Sequence, residues 1–230
     1  MTLNETGVQP EFADGMKERK NSMRELILAS ASPRRRELLG QIGIPFQVIV
    51  SGEEEKVTET DPGETVKALS AQKALHVAGQ EEAGRIVLGA DTVVAIDGKI
   101  LGKPRDRADA FRMLSRLQGR THSVFTGVTL AQKTEPEGEP AGEGKENARI
   151  LACFFKETRV HVHEMSREEI EAYLDTGDAF DKAGSYGIQG PFAAYVDGIE
   201  GDYNNVVGLP VSAVYQALKE LESERESETS

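Results

Sequence analysis

Apolar residues fall into short runs along the chain, and the spacing within each run predicts an element. Leu26 to Ala29 reads as a short apolar strand, and Pro33 to Ile42 as a helix with Leu38, Leu39 and Ile42 on one face. Phe46 to Val50 predicts a strand. Glu64 to Ala78 predicts a helix, with apolar positions at Val66, Leu69, Ala74, Val77 and Ala78. Ile86 to Ile96 is a long apolar strand, and Asp97-Gly98 is a hairpin turn leading into Lys99, Ile100 and Leu101. Arg107 to Leu117 is helical. His122 to Gln132 and Ile150 to Glu164 are long strands. Ser166 opens a helix with a capping box, Ser166-x-x-Glu169. Ala193 to Val196 reads as a strand, and Pro210 to Leu221 as a closing helix that starts on proline. Helices and strands interleave, but hairpins occur as well. The expected class is α/β, a mixed twisted sheet with helices on its faces.

Three stretches carry no apolar period. Residues 1–22 mix charge, Gly and Pro and predict a disordered arm. Residues 133–149 form an acidic insertion between two strands, a solvated hairpin rather than a linker because strand pattern resumes at Ile150. The tail 223–230 is expected to fray and stay flexible. One catalytic domain over 23–222 is left.

Charge narrows the partners. The 27 Lys and Arg against 39 Asp and Glu give a net charge of −12, which argues against nucleic acid and anionic membrane. No run approaches the roughly 18 apolar residues of a membrane span. The first residues lack the apolar stretch of a secretion signal, so a cytoplasmic protein is expected. The single Cys153 excludes a disulfide framework and any Cys-rich zinc module, and its apolar strand context predicts buried packing.

Against that acidic background one basic cluster stands out. In LILASASPRRRELL a strand runs through a Ser-rich turn into a helix, with Ser32 as N-cap and Pro33 as the first helical residue. Arg34, Arg35 and Arg36 follow, although a helix N-terminus prefers acids. Local violations tend to mark sites. Free N–H groups, the Ser30 and Ser32 hydroxyls and guanidinium forks would together bind phosphate. Neither a Walker loop nor a G-x-G-x-x-G fingerprint is present.

Asp91 interrupts an otherwise apolar strand, and a buried carboxylate must be paired, hydrogen-bonded or metal-bound. It is either a structural aspartate or a Mg²⁺ ligand or base at a cleft wall. The acidic run Glu53-Glu54-Glu55 by itself reads as a solvated loop. Lys73 and Lys103 are ordinary surface lysines taken singly, and with the arginines would neutralise a polyphosphate. The loop from Ala179 to Gly190 has glycines at 184, 187 and 190, spacing that lets backbone approach a ligand. His161 and His163 share a strand face but lack a third zinc ligand, so two exposed strand residues are expected.

In order along the chain, SASPRRRELL, EEEK, AQKA, GADTVV, LGKP, GRTHSVFTGV, DKAGSYGIQG and NNVVGLP resemble the Maf family from about Leu26 to Leu221. The DKAG-x-YGIQG form is similar to the subgroup that hydrolyses dTTP and UTP rather than 7-methyl-GTP. The resemblance implies a nucleoside triphosphate pyrophosphatase that releases monophosphate and pyrophosphate. It also implies two lobes around a cleft, as in inosine triphosphate pyrophosphatases, a divalent metal cation (Mg²⁺ or Mn²⁺) and frequent homodimers. The family is linked with inhibition of septum formation. The resemblance places phosphate binding at Ser30, Ser32, Arg34 and Arg35. It places an acidic metal position at Glu55 beside Glu54, a helix lysine at Lys73 and the catalytic aspartate at Asp91. It gives Thr92 a part in specificity, Lys103 as a turn lysine, Asp181 and Lys182 as a pair, and Gln189 as the specificity glutamine. Two readings of other kinds stand beside it: a non-catalytic regulator of cell division acting through a protein partner, and a Maf-type enzyme with another nucleotide preference.

Overall fold

The computed structural model describes residues 26–52, 59–134 and 147–228. The N-terminal arm, the run Glu53 to Glu55 and most of the acidic insertion therefore lie outside the described residues. The elements are β1 (Leu26–Leu28), α1 (Pro33–Gln41), β2 (Phe46–Val48), α2 (Pro62–Gln80), β3 (Ile86–Ile96) and β4 (Lys99–Leu101). They continue with α3 (Arg107–Leu117), β5 (Thr121–Lys133), β6 (Ala148–Val162), α4 (Arg167–Asp175), β7 (Val196–Glu200), α5 (Tyr203–Val207) and α6 (Val211–Glu228).

Local chemistry explains most boundaries. Ser32 caps α1 with Pro33 behind it. Asp61 caps α2 by accepting from the Glu64 N–H at 2.9 Å, so that helix starts two residues earlier than its apolar pattern. Both bonds of the Ser166–Glu169 capping box are present at α4. Two expectations are corrected. Of the strand expected over Ala193 to Val196 only Val196 is strand: Pro191 starts a 3₁₀ turn through Tyr195, which buries Phe192 against Tyr173, Tyr186 and Tyr195, and β7 begins at Val196. The segment from Ser223 stays helical through Glu228, because its Glu and Arg favour helix and Arg225 donates to the Gln132 side chain at 3.0 Å.

The seven strands form one mixed sheet in the order β2-β1-β3-β5-β6-β7, with β4 also on β3. β1 is parallel to β2 and β3, and the remaining pairs are antiparallel. Alternation sends neighbouring residues to opposite faces. Ile27, Ala29 and Val87 pack against α2 through Ala74, Val77 and Ala78. On the other face Leu26, Leu28 and Leu88 join Leu38 and Leu39 of α1, Leu114 of α3, Leu174 of α4 and Val214 of α6. The expected mixed sheet with helices on its faces is thus the fold. Among the described residues no helix is long and apolar enough to cross a membrane.

One topological detail makes room for a site. β1 pairs with β3 only as far as Leu88, and β4 takes the same edge from Val94 onward. Residues 89–93 are left without a strand on that edge among the described residues. Ligands in open α/β sheets bind beyond the carboxyl ends of strands where such an opening occurs.

Candidate active site

The opening at the β3 edge is the floor of a cleft of about 1020 Å³. It is lined by eleven of the twelve residues singled out from the sequence: Ser30, Ser32, Arg34, Arg35, Lys73, Asp91, Thr92, Lys103, Asp181, Lys182 and Gln189. The twelfth, Glu55, lies outside the described residues.

Asp91 points to the α2 face of the sheet. There the Lys73 ammonium donates to its Oδ1 at 2.6 Å, and both side chains are largely buried, 16% and 14% exposed. The carboxylate is therefore paired, as its place in an apolar strand requires. Its Oδ2 has no partner among the described residues. Two glycines bring the lysine this close. Gly89 and Gly127 lie on the same face, and a Cβ on either would run into the backbone of α2 at Ser70 or Val66. Without side chains there, α2 rests directly on β3 and β5.

Thr92, one residue on, points to the opposite face and meets the phosphate-type turn. Arg35 holds three elements at once: Nε donates to the Gly208 carbonyl at 2.9 Å, Nη1 to Ser30 Oγ at 3.0 Å and Nη2 to Thr92 Oγ1 at 3.1 Å. Thr126 spends its hydroxyl proton on the Asn205 carbonyl, so Thr92 must donate to Thr126, 2.9 Å away. Asn205 in turn donates to Val124 O and Thr158 Oγ1, both at 3.0 Å. A buried polar chain thus runs from Arg35 across the sheet to α5. The sequence reading missed Thr126, Asn205 and Gly208. GRTHSVFTGV, which holds Thr126, and NNVVGLP, which holds Asn205 and Gly208, were among the motifs of the resemblance, but nothing in either names a partner.

At the start of α1 the Ser32 N–H bonds Ser30 Oγ at 3.3 Å, and Ser32 Oγ receives a long 3.5 Å contact from the Arg35 N–H. The first turn of this helix holds no acid. Positive backbone ends, two hydroxyls and guanidinium groups therefore converge, a combination suited to phosphate oxygens.

The other wall is irregular. Arg34 reaches across to Asp181 at 3.3 Å. Lys182 donates to Asp178 O at 2.7 Å, Asp178 Oδ1 at 2.9 Å and Asp181 Oδ1 at 2.6 Å, so all three of its protons are used. Desolvation opposes ionisation of Asp181, yet the Lys182 ammonium and Arg34 hold its carboxyl below the usual carboxylate range. Beneath the loop, His122 Nε2 meets the Tyr186 hydroxyl at 2.7 Å. Burial pushes His122 down to about 4, so it is neutral at pH 7, and its Nδ1 has no partner among the described residues. Gln189 is exposed at the cleft rim, and Lys103 is exposed with no ion-pair partner among the described residues.

The remaining candidates stay outside this site. Cys153 is exposed rather than buried, because the β6 face that carries it is only partly covered, and it accepts from Thr129 Oγ1 at 3.3 Å. His161 of β6 pairs with Glu200 of β7 at 3.0 Å, and His163, just past the end of β6, pairs with Asp197 at 3.4 Å. Among the described residues no three His, Cys, Asp or Glu side chains cluster tightly enough to cage a metal. The cleft's oxygen donors are hard, and Asp91 is a largely buried carboxylate among them with an uncommitted oxygen, whereas Glu37 lies exposed at the rim. That set suits a cation such as Mg²⁺, which takes one or two carboxylates and completes its shell with phosphate oxygens and water.

The cleft's motifs belong to a known group of chains. Proteins named dTTP/UTP pyrophosphatase from Agathobacter rectalis and Thermoanaerobacter sp. strain X514 are similar to this one. The first is 49% identical over 211 residues, covering 86% of this chain and 98% of the relative. The second is 46% identical over 195 residues, covering 85% and 95%. A relative of the same name from Bacillus cytotoxicus is 45% identical over 202 residues, covering 87% and 97%. A solved HAM1 protein from Coxiella burnetii covers 89% of this chain and 100% of its own at 15% identity and a TM-score of 0.43, too distant to bear on the fold. The family model described as Maf-like protein matches residues 25–221, which takes in every wall of the cleft, and the chain belongs to the Maf family.

Proposed function

We propose that this protein is a nucleoside triphosphate pyrophosphatase that hydrolyses dTTP and UTP to the monophosphate and pyrophosphate. The relatives' names supply the substrates. The observation that carries the reading is the Lys73–Asp91 pair, set at 2.6 Å in a cleft whose facing wall is the Ser30–Arg35 turn.

The chemistry follows from where these groups sit. The triphosphate lies along the α1 turn, where Ser30, Ser32 and Arg34 meet its oxygens and Arg35 is held ready by Gly208 and Thr92. Lys73 holds Asp91 Oδ1 and so fixes the carboxyl plane, leaving Oδ2 to orient a water and accept its proton. That water attacks the α-phosphorus, and the bond from phosphorus to the α-β bridging oxygen breaks. Arg35, Lys73 and Lys103 offset the charge that builds on departing pyrophosphate. Asp91, joined by Glu55, would hold Mg²⁺ or Mn²⁺, which when bound polarises the phosphate and neutralises its charge. Gln189 meets the base: its amide offers a donor pair and an acceptor to the carbonyl and N3–H edge shared by thymine and uracil.

The test is a panel of the common nucleoside triphosphates with Mg²⁺ or Mn²⁺, with products separated by anion exchange. Monophosphate and pyrophosphate are expected, fastest from dTTP and UTP. Orthophosphate as the first product would move attack to the terminal phosphorus and overturn the reading.

A further inference from the structure

The loop that carries Gln189 pairs with no strand, and one turn bond, from the Gly190 N–H to the Gly187 carbonyl at 3.1 Å, closes it, so its seat on the rest of the fold depends on what lies beside it. Two of its glycines show what does. A Cβ on Gly190 would lie 2.6 Å from Asp178 Oδ2, and one on Gly187 would lie 2.7 Å from Lys182 Cε and 3.3 Å from Asp178 Oδ2. The Asp178 carboxylate and the Lys182 stem therefore pack directly on the loop backbone, at the residues flanking Ile188 and Gln189.

Asp178 also ties that loop to the rigid part of the fold. The hydroxyl of Tyr173, on α4 and 3% exposed, donates to Asp178 Oδ2 at 2.9 Å. The Gly187 backbone also faces this hydroxyl and favours its ionised form, against the upward push of burial on the phenol. Asp178 Oδ1 and its own carbonyl hold two of the three Lys182 protons. The Tyr173 ring is locked edge-on against Phe192, with centroids 5.2 Å apart. A helix, a buried ring and a carboxylate thus clamp the backbone two residues before Gln189.

We infer that Asp178, acting with Tyr173, is the positioning residue that sets the Gly187–Gly190 loop and with it the pyrimidine selectivity of the cleft. This rests on the reading that the loop carrying Gln189 meets the base. Asp178 touches neither the phosphate turn nor Asp91, so its loss should act on binding and discrimination before it acts on the chemical step. Lys182, with all its protons committed, belongs to the same clamp rather than to the triphosphate.

Asp178→Asn keeps the shape but leaves one acceptor oxygen where two are needed, so either Tyr173 or Lys182 loses its partner. The kcat/KM preference for UTP over CTP should narrow by about fivefold to tenfold, the worth of one lost polar contact. The change should sit in KM for UTP, with kcat altered by less than about twofold. Tyr173→Phe removes only the hydroxyl bridge, keeps the ring on Phe192 and should narrow the preference in the same direction. It carries the test if the Asp178 variant does not fold. Gln189→Glu is measured alongside. If Gln189→Glu narrows the preference while both clamp variants leave it unchanged, the clamp is refuted and base reading stands. If the clamp variants narrow it and Gln189→Glu does not, the clamp stands and the side-chain reading falls. A loss shared equally by UTP and CTP, at an unchanged ratio, would make Asp178 a merely structural residue and overturn the inference.

Discussion

The two walls of the cleft are built on different principles. The wall proposed to hold phosphate stands on regular elements: an N-capped helix, two adjacent residues of one strand, and a lysine from a helix pressed onto glycine. Its groups are held by short bonds to separate segments of the chain, and Arg35 alone joins three: the turn after β1, β3 and the end of α5. The wall proposed to meet the base is a loop without a ladder, braced by Asp178, Lys182 and Tyr173. The division suits the task. Charge neutralisation at phosphorus gains most from groups already in place. Discrimination between similar bases needs donors and acceptors set at the rim, where a loop can be shaped to one edge.

Substitutions on each wall should therefore fail differently. The largest effect belongs to Asp91→Asn, which keeps shape and Lys73 contact but loses the negative oxygen. Turnover should fall roughly 10²–10⁴-fold with the circular dichroism spectrum unchanged, and near-normal turnover would take Asp91 out of the mechanism. Next is Arg35→Lys, which keeps the charge but cannot span Gly208, Ser30 and Thr92 together. A loss of roughly 10²-fold in kcat/KM, for every nucleotide alike, is expected from two broken charge-assisted bonds. If Arg35→Lys altered the preference among bases instead, the separation of the two walls would be wrong.

Acid should loosen the base wall through His122. Burial lowers this histidine from 6.5 to about 4, so between those values the unfolded chain binds a proton that the folded chain refuses. Its contribution is present above pH 6.5 and falls away as pH drops to 4, by about 3 kcal/mol in all. Urea melts across that range should show the slope, and His122→Gln should flatten it. An unchanged slope would mean that another group sets acid stability. The smallest effect is expected from replacing residues 135–146 with a tight turn. The strand pair closes there through Thr134 N–H to Asn147 O at 2.8 Å. That rung is roughly 20 Å along β5 from the register of Asp91. Turnover should be nearly unchanged, and a large loss with the fold intact would make the insertion part of the cleft.

How much of this was legible in the sequence depends on whether the cause is local. Ser32 before Pro33, Asp97-Gly98 in its turn and the Ser166–Glu169 box each act within a few residues, and their elements fell where the pattern put them. Ile86 to Ile96 could be read as a strand because its apolar run is long and bounded. The oddities that drew attention to chemistry were local too, an acid inside that strand and arginines where a helix prefers acids. What the pattern misjudged was decided at a distance. Ala193 to Val196 has strand composition, but Phe192 had three rings to bury against, and the chain turned to do so. Cys153 lies in an apolar run, yet exposure depends on what covers β6, which no local window contains.

The sequence by itself therefore determined most of the elements and the class of sheet, because those follow from periodicity and capping, and the cost of buried or misplaced charge pointed to Asp91 and the arginines while the motif resemblance implied the reaction. Tertiary structure alone decided that β1 and β4 leave a gap on β3 over Asp91, that Gly89 and Gly127 let α2 bring Lys73 to it, and that Asp178 closes on Gly190. These are contacts between residues far apart in the chain, selected by packing of whole elements, and a one-dimensional pattern carries no record of which distant neighbour fills a given space.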